Sequence, residues 1–145
     1  MSPVHDKAII GWSEYVDFPD WGIDRLKAKI DTGARTSALH VESLEELPGG
    51  DVRFEVIHGT RRNPKRTVVT AKALKWARVR SSNGHYQTRC FVRTRMQVGP
   101  ILKEIELSLV SREKMLFRML LGRKALEHDF LVNVSKRTLL SGRRK

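Results

Sequence analysis

The residues best placed to do chemistry lie in Lys29-Ile30-Asp31-Thr32-Gly33-Ala34-Arg35-Thr36-Ser37-Ala38-Leu39. Leu26, Ala28 and Ile30 alternate with Lys27 and Lys29, the two-residue period of a strand with one buried face. That strand runs into Asp-Thr-Gly, three turn-favouring residues, and the chain then resumes as Ser37-Ala38-Leu39-His40-Val41. An acid left unpaired at the end of a buried strand is costly, so its position suits proton transfer better than stability. Gly33 lets the backbone turn closely beside the carboxyl group. Thr32 offers a hydroxyl that can bond backbone or a facing copy of itself. Asp31, Thr32 and Gly33 are therefore the candidate catalytic residues.

The tripeptide alone also makes ordinary turns, and a second segment adds to it. Met119-Leu120-Leu121-Gly122-Arg123-Lys124-Ala125-Leu126 places two aliphatics, a glycine and an arginine before a short helix-forming run. Asp-Thr-Gly-Ala followed downstream by aliphatic-aliphatic-Gly-Arg resembles the retropepsin-like aspartic proteases. Three longer strings, AKIDTGARTSALH from Ala28, VRSSNGH from Val79 and FRMLLGRKAL from Phe117, are similar to the bacterial RimK-associated branch, labelled as ATP-dependent zinc proteases. The resemblance runs from about Ile10 to Leu140 and implies that Leu120, Leu121 and Gly122 pack beneath the Asp31 turn as its support.

The elements that must position these residues read as short strands and turns. Ala8–Trp12 is a first strand, Val16–Gly22 a loop, and Glu42–Asp51 an acidic loop with Pro48-Gly49-Gly50. Trp12, Phe18 and Trp21 cap the core. Val52–Val56 and Thr67–Ala71 flank the polar loop 59–66, which is either a solvated hairpin tip or an anion contact. Trp76–Arg80 and His85–Val98 form a hairpin around Asn83-Gly84. In retropepsins a hairpin between the two motifs folds over the active site, so the resemblance makes this hairpin, by its order in the chain, the candidate flap, with Ser82, Asn83 and Gly84 touching substrate; the alternative is an ordinary surface hairpin. Gly99-Pro100 breaks the chain before a strand at Glu104–Val110. Arg123–His128 is a short helix, and Phe130–Val134 and Thr138–Leu140 are terminal strands. The pattern predicts a single mainly β domain over residues 1–145, a closed β-barrel with one short C-terminal helix, with residues 1–7 and 141–145 as frayed tails. The resemblance makes that barrel one of the retropepsin-like type.

The formal net charge is +12, from 28 Lys and Arg against 16 Asp and Glu. That excess favours acidic partners and opposes self-association. One cysteine, Cys90, excludes an internal disulfide framework and fits a reducing compartment. No apolar run approaches a membrane span and Met1–Lys7 has no apolar signal core. The expectation is a cytoplasmic protein without a membrane partner.

Peptide hydrolysis by aspartates needs two carboxyl groups sharing one proton. The chain carries one Asp-Thr-Gly, so the resemblance implies a homodimer in which Asp31 meets its symmetry mate. Better-known members follow Asp-Thr-Gly-Ala with an acid that pairs the arginine of the Gly-Arg segment; here Arg35 stands there and Arg123 is kept. Ala34, Arg35 and Arg123 then become candidate substrate contacts that select an acidic, glutamate-rich peptide or protein tail. The alternative is that Glu42 or Asp129 neutralises both arginines. The family's association with a glutamate-adding ligase implies a functional link to such an enzyme. No zinc or nucleotide motif supports the family label, since His5, His40, His58, His85 and His128 are scattered singly, so neither metal nor cofactor is expected. The function expected is an aspartic endopeptidase for acidic peptides. The second reading is an inactive module that binds an acidic or ribosomal partner. Nucleic acid ranks last, because the basic loops lack aromatic stacking positions.

Overall fold

The computed structural model describes residues 6–80, 84–111 and 116–142. Its strands are β1 (Ala8–Ile10), β2 (Ser13–Phe18), β3 (Ile23–Ile30), β4 (Ser37–His40), β5 (Glu42–Glu46), β6 (Asp51–Gly59), β7 (Pro64–Lys72), β8 (Lys75–Arg80), β9 (Tyr86–Val98), β10 (Ile101–Val110), β11 (Met119–Leu121) and β12 (Phe130–Val132). Helix α1 (Arg123–Leu126) separates the last two. The fold is mainly β, as the alternating sequence requires.

The largest sheet runs β10-β4-β11-β3-β2-β9-β8, and β9 also pairs with β10, so the pairings return on themselves as a ring of strands. Between β2 and β9 that ring is joined through one bridge, Asp17 to Gln97. β5, β6 and β7 form a separate sheet, and β1 lies parallel to β12. Phe18, Ala28, Leu39, Phe54, Val92, Leu107 and Met119 are wholly buried in the core these layers share.

β3 buries Ile23, Leu26, Ala28 and Ile30 and exposes Asp24, Lys27 and Lys29, the alternation its sequence demands. Gly99 and Pro100 turn β9 directly into β10, with Val98 opposite Ile101. The loop read at 59–66 is shorter, a hairpin tip of residues 60–63, because β6 runs through Gly59 and pairs with β7 from Pro64 onward. Phe18 lies 5.2 Å from Trp21, which meets Phe54 edge-on at 5.6 Å; Trp12 meets Phe117 at 6.0 Å.

Several elements differ from expectation. Val16–Phe18 belongs to β2 rather than to a loop, because Val16 and Phe18 both point into the core. Glu42–Glu46 is an edge strand whose acids are matched by neighbouring cations, Glu45 by Arg53 and Glu42 by Arg66. The helix stops at Leu126, before His128 with its φ of 76°. Residues 138–140 form no strand.

Those residues serve another purpose. Glu14 is fully buried on β2, and its carboxylate accepts hydrogen bonds from the N–H groups of Gly11, Leu139, Leu140 and Ser141 and from the Ser141 hydroxyl. The acid thus fastens the end of the described chain to its beginning. Burial pushes the Glu14 pKa up, but the surrounding backbone and hydroxyl donors outweigh it and hold the group below its usual value of 4.5. A depressed folded-state pKa contributes stability that is complete above the unfolded value and is lost as pH falls through the folded one. We expect Glu14→Gln to lower stability at neutral pH by about 3 kcal/mol. Unfolding by urea from neutral pH down to about pH 2 reads both effects: the wild type should lose more stability on acidification than the variant, by the share that Glu14 contributes. Parallel pH profiles for the two would refute this role.

Candidate active site

β3 and β4 are consecutive in sequence and flank the Asp31 turn, yet they do not pair with each other. β11 is inserted between them, parallel to β3 through Met119–Ala28 and Leu121–Ile30, and antiparallel to β4 through Met119–Leu39. The insertion brings the two motifs of the sequence together. Asp31 N–H donates to Leu121 O at 2.8 Å, Arg123 N–H to Ala34 O at 2.8 Å, and Lys124 N–H to Arg35 O at 3.0 Å. The Arg123 guanidinium donates to Thr32 O at 3.1 Å. Gly122 N–H donates to the buried hydroxyl of Ser37 at 3.1 Å.

Gly122 has no room for a side chain. A Cβ there would lie 2.6 Å from Thr36 O and 2.9 Å from Ala34 O. Glycine is the residue that lets β11 run this close under the turn. Its backbone is extended, so the requirement is for space rather than for an unusual conformation.

The Asp31 carboxylate is half-buried, and Oδ1 accepts from Gly33 N–H at 3.0 Å. Among the described residues this is the side chain's one hydrogen bond, so Oδ2 is left to act on a ligand or a water. Thr32, Gly33 and Arg35 are exposed around it, and Ala34 is half-buried. A half-buried acid with a turn wrapped about it and one oxygen open can exchange a proton with a bound molecule.

Arg35 and Arg123 have no carboxylate partner among the described residues. Glu42 is taken by Arg66 at 2.8 Å and by His40 at 3.1 Å, and Asp129 holds Lys103 at 2.6 Å. The alternative in which Glu42 or Asp129 neutralises these two arginines is thus met by other cations. His40 Nε2 lies 3.1 Å from Glu42 Oε2, and Arg66 donates to Glu42 Oε1 at 2.8 Å. No group of three or more His, Cys, Asp or Glu placed to hold a metal occurs among the described residues.

Leu121, Gly122, Arg123 and Lys124 therefore meet the 31–36 turn in one place, while Leu120 pairs one step back with Lys29 and Ala38. Of the flap residues, Ser82 and Asn83 lie outside the described residues. Gly84 is exposed near the tip between β8 and β9, and no hydrogen bond among the described residues ties it to the Asp31 turn. Ser37 was missed from sequence, although a polar side chain at the same inward phase as Leu39 was a usable signal. The carbonyl of Trp12, which accepts from Ile30 N–H at 2.8 Å and steadies the residue before the acid, carried no signal at all.

A family model described as "Retropepsin-like aspartic endopeptidase RimB" matches residues 9–141. Curated relatives named "Probable alpha-L-glutamate ligase" are 36% identical over 138 residues in Desulfotalea psychrophila and 34% over 136 residues in Shewanella halifaxensis. A third, from Parasynechococcus marenigrum, is 34% identical over 132 residues. These matches cover 92%, 90% and 88% of this chain but 29%, 29% and 28% of the relatives, so the chain spans under a third of their length. A crystal structure of a Legionella pneumophila protein of unknown function superposes with a TM-score of 0.76 at 23% identity, covering 93% of this chain and 99% of that one. That likeness establishes the fold. No helix among the described residues is long and apolar enough to cross a membrane.

Proposed function

Because this chain belongs to the RimB-like family of retropepsin-like aspartic endopeptidases, we propose that it hydrolyses peptide bonds in acidic, glutamate-rich peptides or protein tails. The observation that carries the reading is the closure of Leu121, Gly122 and Arg123 beneath a turn that presents the Asp31 carboxylate with one oxygen uncommitted. Asp31 of one copy and Asp31 of a second would share a proton across a two-fold axis. The ionised carboxyl takes a proton from water as the oxygen attacks the peptide carbonyl. The neutral one gives its proton to the carbonyl oxygen. When the tetrahedral intermediate breaks, the C–N bond opens and the amine leaves with a proton from the pair. In this reading the ring of strands is a closed barrel of the retropepsin-like type, one domain that positions the turn.

Surface for the second copy lies close by. Ile9 and Leu131 face each other across the β1–β12 pair with 56% and 55% of their surface exposed. β1 leads through Gly11 to Trp12, whose carbonyl binds the strand that ends in Asp31. Apolar burial there would work against the repulsion of a strongly basic chain.

Arg35 and Arg123 stand in or beside the Asp31 turn with no carboxylate partner among the described residues, which supports substrates that bring carboxylates to them. Arg35→Glu is expected to raise KM for glutamate-rich peptides by about tenfold while leaving a neutral peptide within about twofold. Steady-state rates on the two peptides read this, and an unchanged preference would remove the assignment. The relatives' name supports a link to a ligase that adds glutamates, of whose products this chain would be the hydrolase. A cytoplasmic setting agrees with a single buried thiol, Cys90. Incubating glutamate-rich peptides with the wild-type chain and reading fragments by mass tests the reading; intact peptide after prolonged incubation leaves the binding-module alternative.

A further inference from the structure

A concavity of about 920 Å³ opens between the start of β3 and the β6–β7 tip, and Asp31 is not among the residues that line it. Lys27 is the lining residue of β3 nearest the turn and stands four residues before Asp31, so the edge of the groove and the turn are separated by roughly 13 Å of extended chain. Arg25, Lys27, Arg61, Lys65 and Arg118 all line the groove, against the single acid Asp24. Lys27, Arg61, Lys65 and Arg118 have no carboxylate partner among the described residues. Elsewhere on the sheets Arg53, Arg66, Arg93, Arg95 and Lys103 each face one.

The groove is built rather than incidental. Arg25 has a left-handed backbone, φ 57°, which costs a non-glycine residue energy and is held by its N–H to Asp17 Oδ1 at 2.9 Å. The guanidinium lies 4.9 Å from the centre of the Tyr15 ring. Gly59, φ 83°, tightens the facing tip, where a Cβ would lie 2.7 Å from Asn63 O and so fixes the backbone that carries Arg61 and Lys65. His58 in the wall is 6% exposed; Nε2 lies 2.8 Å from Thr67 Oγ1, while the buried Nδ1 has no partner among the described residues.

We propose that this groove is a second binding site, for an acidic polypeptide segment whose carboxylates bridge Lys27, Arg61, Lys65 and Arg118, apart from the Asp31 turn. An acidic polypeptide fits better than single-stranded nucleic acid, because Tyr15 is the one aromatic lining the groove and Arg25 already covers it. The site does not depend on catalysis at Asp31. A chain long enough to occupy the groove and the turn together would gain from linkage what neither contact supplies alone.

The test uses the full chain carrying Asp31→Asn, so that no probe is consumed, and a fluorescent oligoglutamate of about ten residues read by anisotropy at low salt. Lys27→Glu, Arg61→Glu and Lys65→Glu together should weaken binding about tenfold or more. A control with the same charge change at Lys72, Lys136 and Arg137, all exposed outside the groove, should weaken it about threefold at most. If the triple variant melts well below its parent, Lys65→Glu alone on the exposed tip is read instead against Lys72→Glu alone, with a loss of about threefold expected for the first and no loss for the second. Unchanged binding in the groove variant, or an equal loss in the control, overturns the site. An RNA oligomer of matched charge that binds more tightly than the peptide, and loses that binding in the groove variant, overturns the choice of ligand. Because binding is read without turnover, a failure here leaves hydrolysis at Asp31 untouched, and a failure of hydrolysis leaves the groove standing.

Discussion

Asp31→Asn should lower the rate of glutamate-rich peptide hydrolysis by about three orders of magnitude while leaving the fold in place. The amide retains an oxygen to accept from Gly33 N–H, the one hydrogen bond that the carboxylate makes among the described residues. The backbone bond from residue 31 to Leu121 O does not involve the side chain. What the substitution removes is the capacity to take and return a proton, which both halves of the proposed reaction require. A melting temperature within a few degrees of wild type, beside an activity too low to measure, is the expected pair of results. Activity within about tenfold of wild type would place the chemistry elsewhere.

Gly122→Ala should damage both stability and rate. The added methyl would stand 2.6 Å from Thr36 O, 2.7 Å from Thr36 C and 2.9 Å from Ala34 O, all backbone atoms with no flexible side chain to yield. Two responses are open: β11 withdraws, or the 31–36 turn shifts. β11 is bonded to β3 on one side and to β4 on the other, so withdrawal loosens two ladders at once. Shifting the turn moves Asp31 directly. We expect a loss of about 3 kcal/mol, a fall in melting temperature of roughly 10 °C, and a rate about a hundredfold lower even well below the melting point. Calorimetry and peptide cleavage on the same sample check both, and a variant that melts and cleaves like wild type would mean that the turn is not packed as described.

How much of this was legible in the sequence depended on what each residue had to satisfy. β3 and much of β6, β9 and β10 were readable because buried and exposed side chains alternate there, although the alternation lapses at Val56–His58, Cys90–Val92 and Leu107–Leu109, where consecutive residues are buried. β2 was harder, since it buries Glu14, a charged group held inside for the bonds it makes rather than for its surface. β5 carries mostly acids because it is an edge strand, and its pattern is that of a loop. The insertion of β11 between β3 and β4 has no local signature; alternation gives strands but not their neighbours, and only the family resemblance suggested that Gly122 lies under Asp31. The groove was invisible for a related reason. Arg25, Lys27, Arg61, Lys65 and Arg118 come from separate parts of the chain, and only the folded sheets bring them to one wall.

The pairing of two copies at Asp31 is open to a direct measurement, the peptide-cleaving activity of wild-type chain mixed with an equal amount of Asp31→Asn chain after subunits have exchanged. If each active unit needs an aspartate from both copies, activity per total chain falls to about a quarter of that of the wild type alone, because only that share of pairs has both acids. Activity that stays at about half, with the variant acting as inert filler, would contradict it and make each chain sufficient by itself.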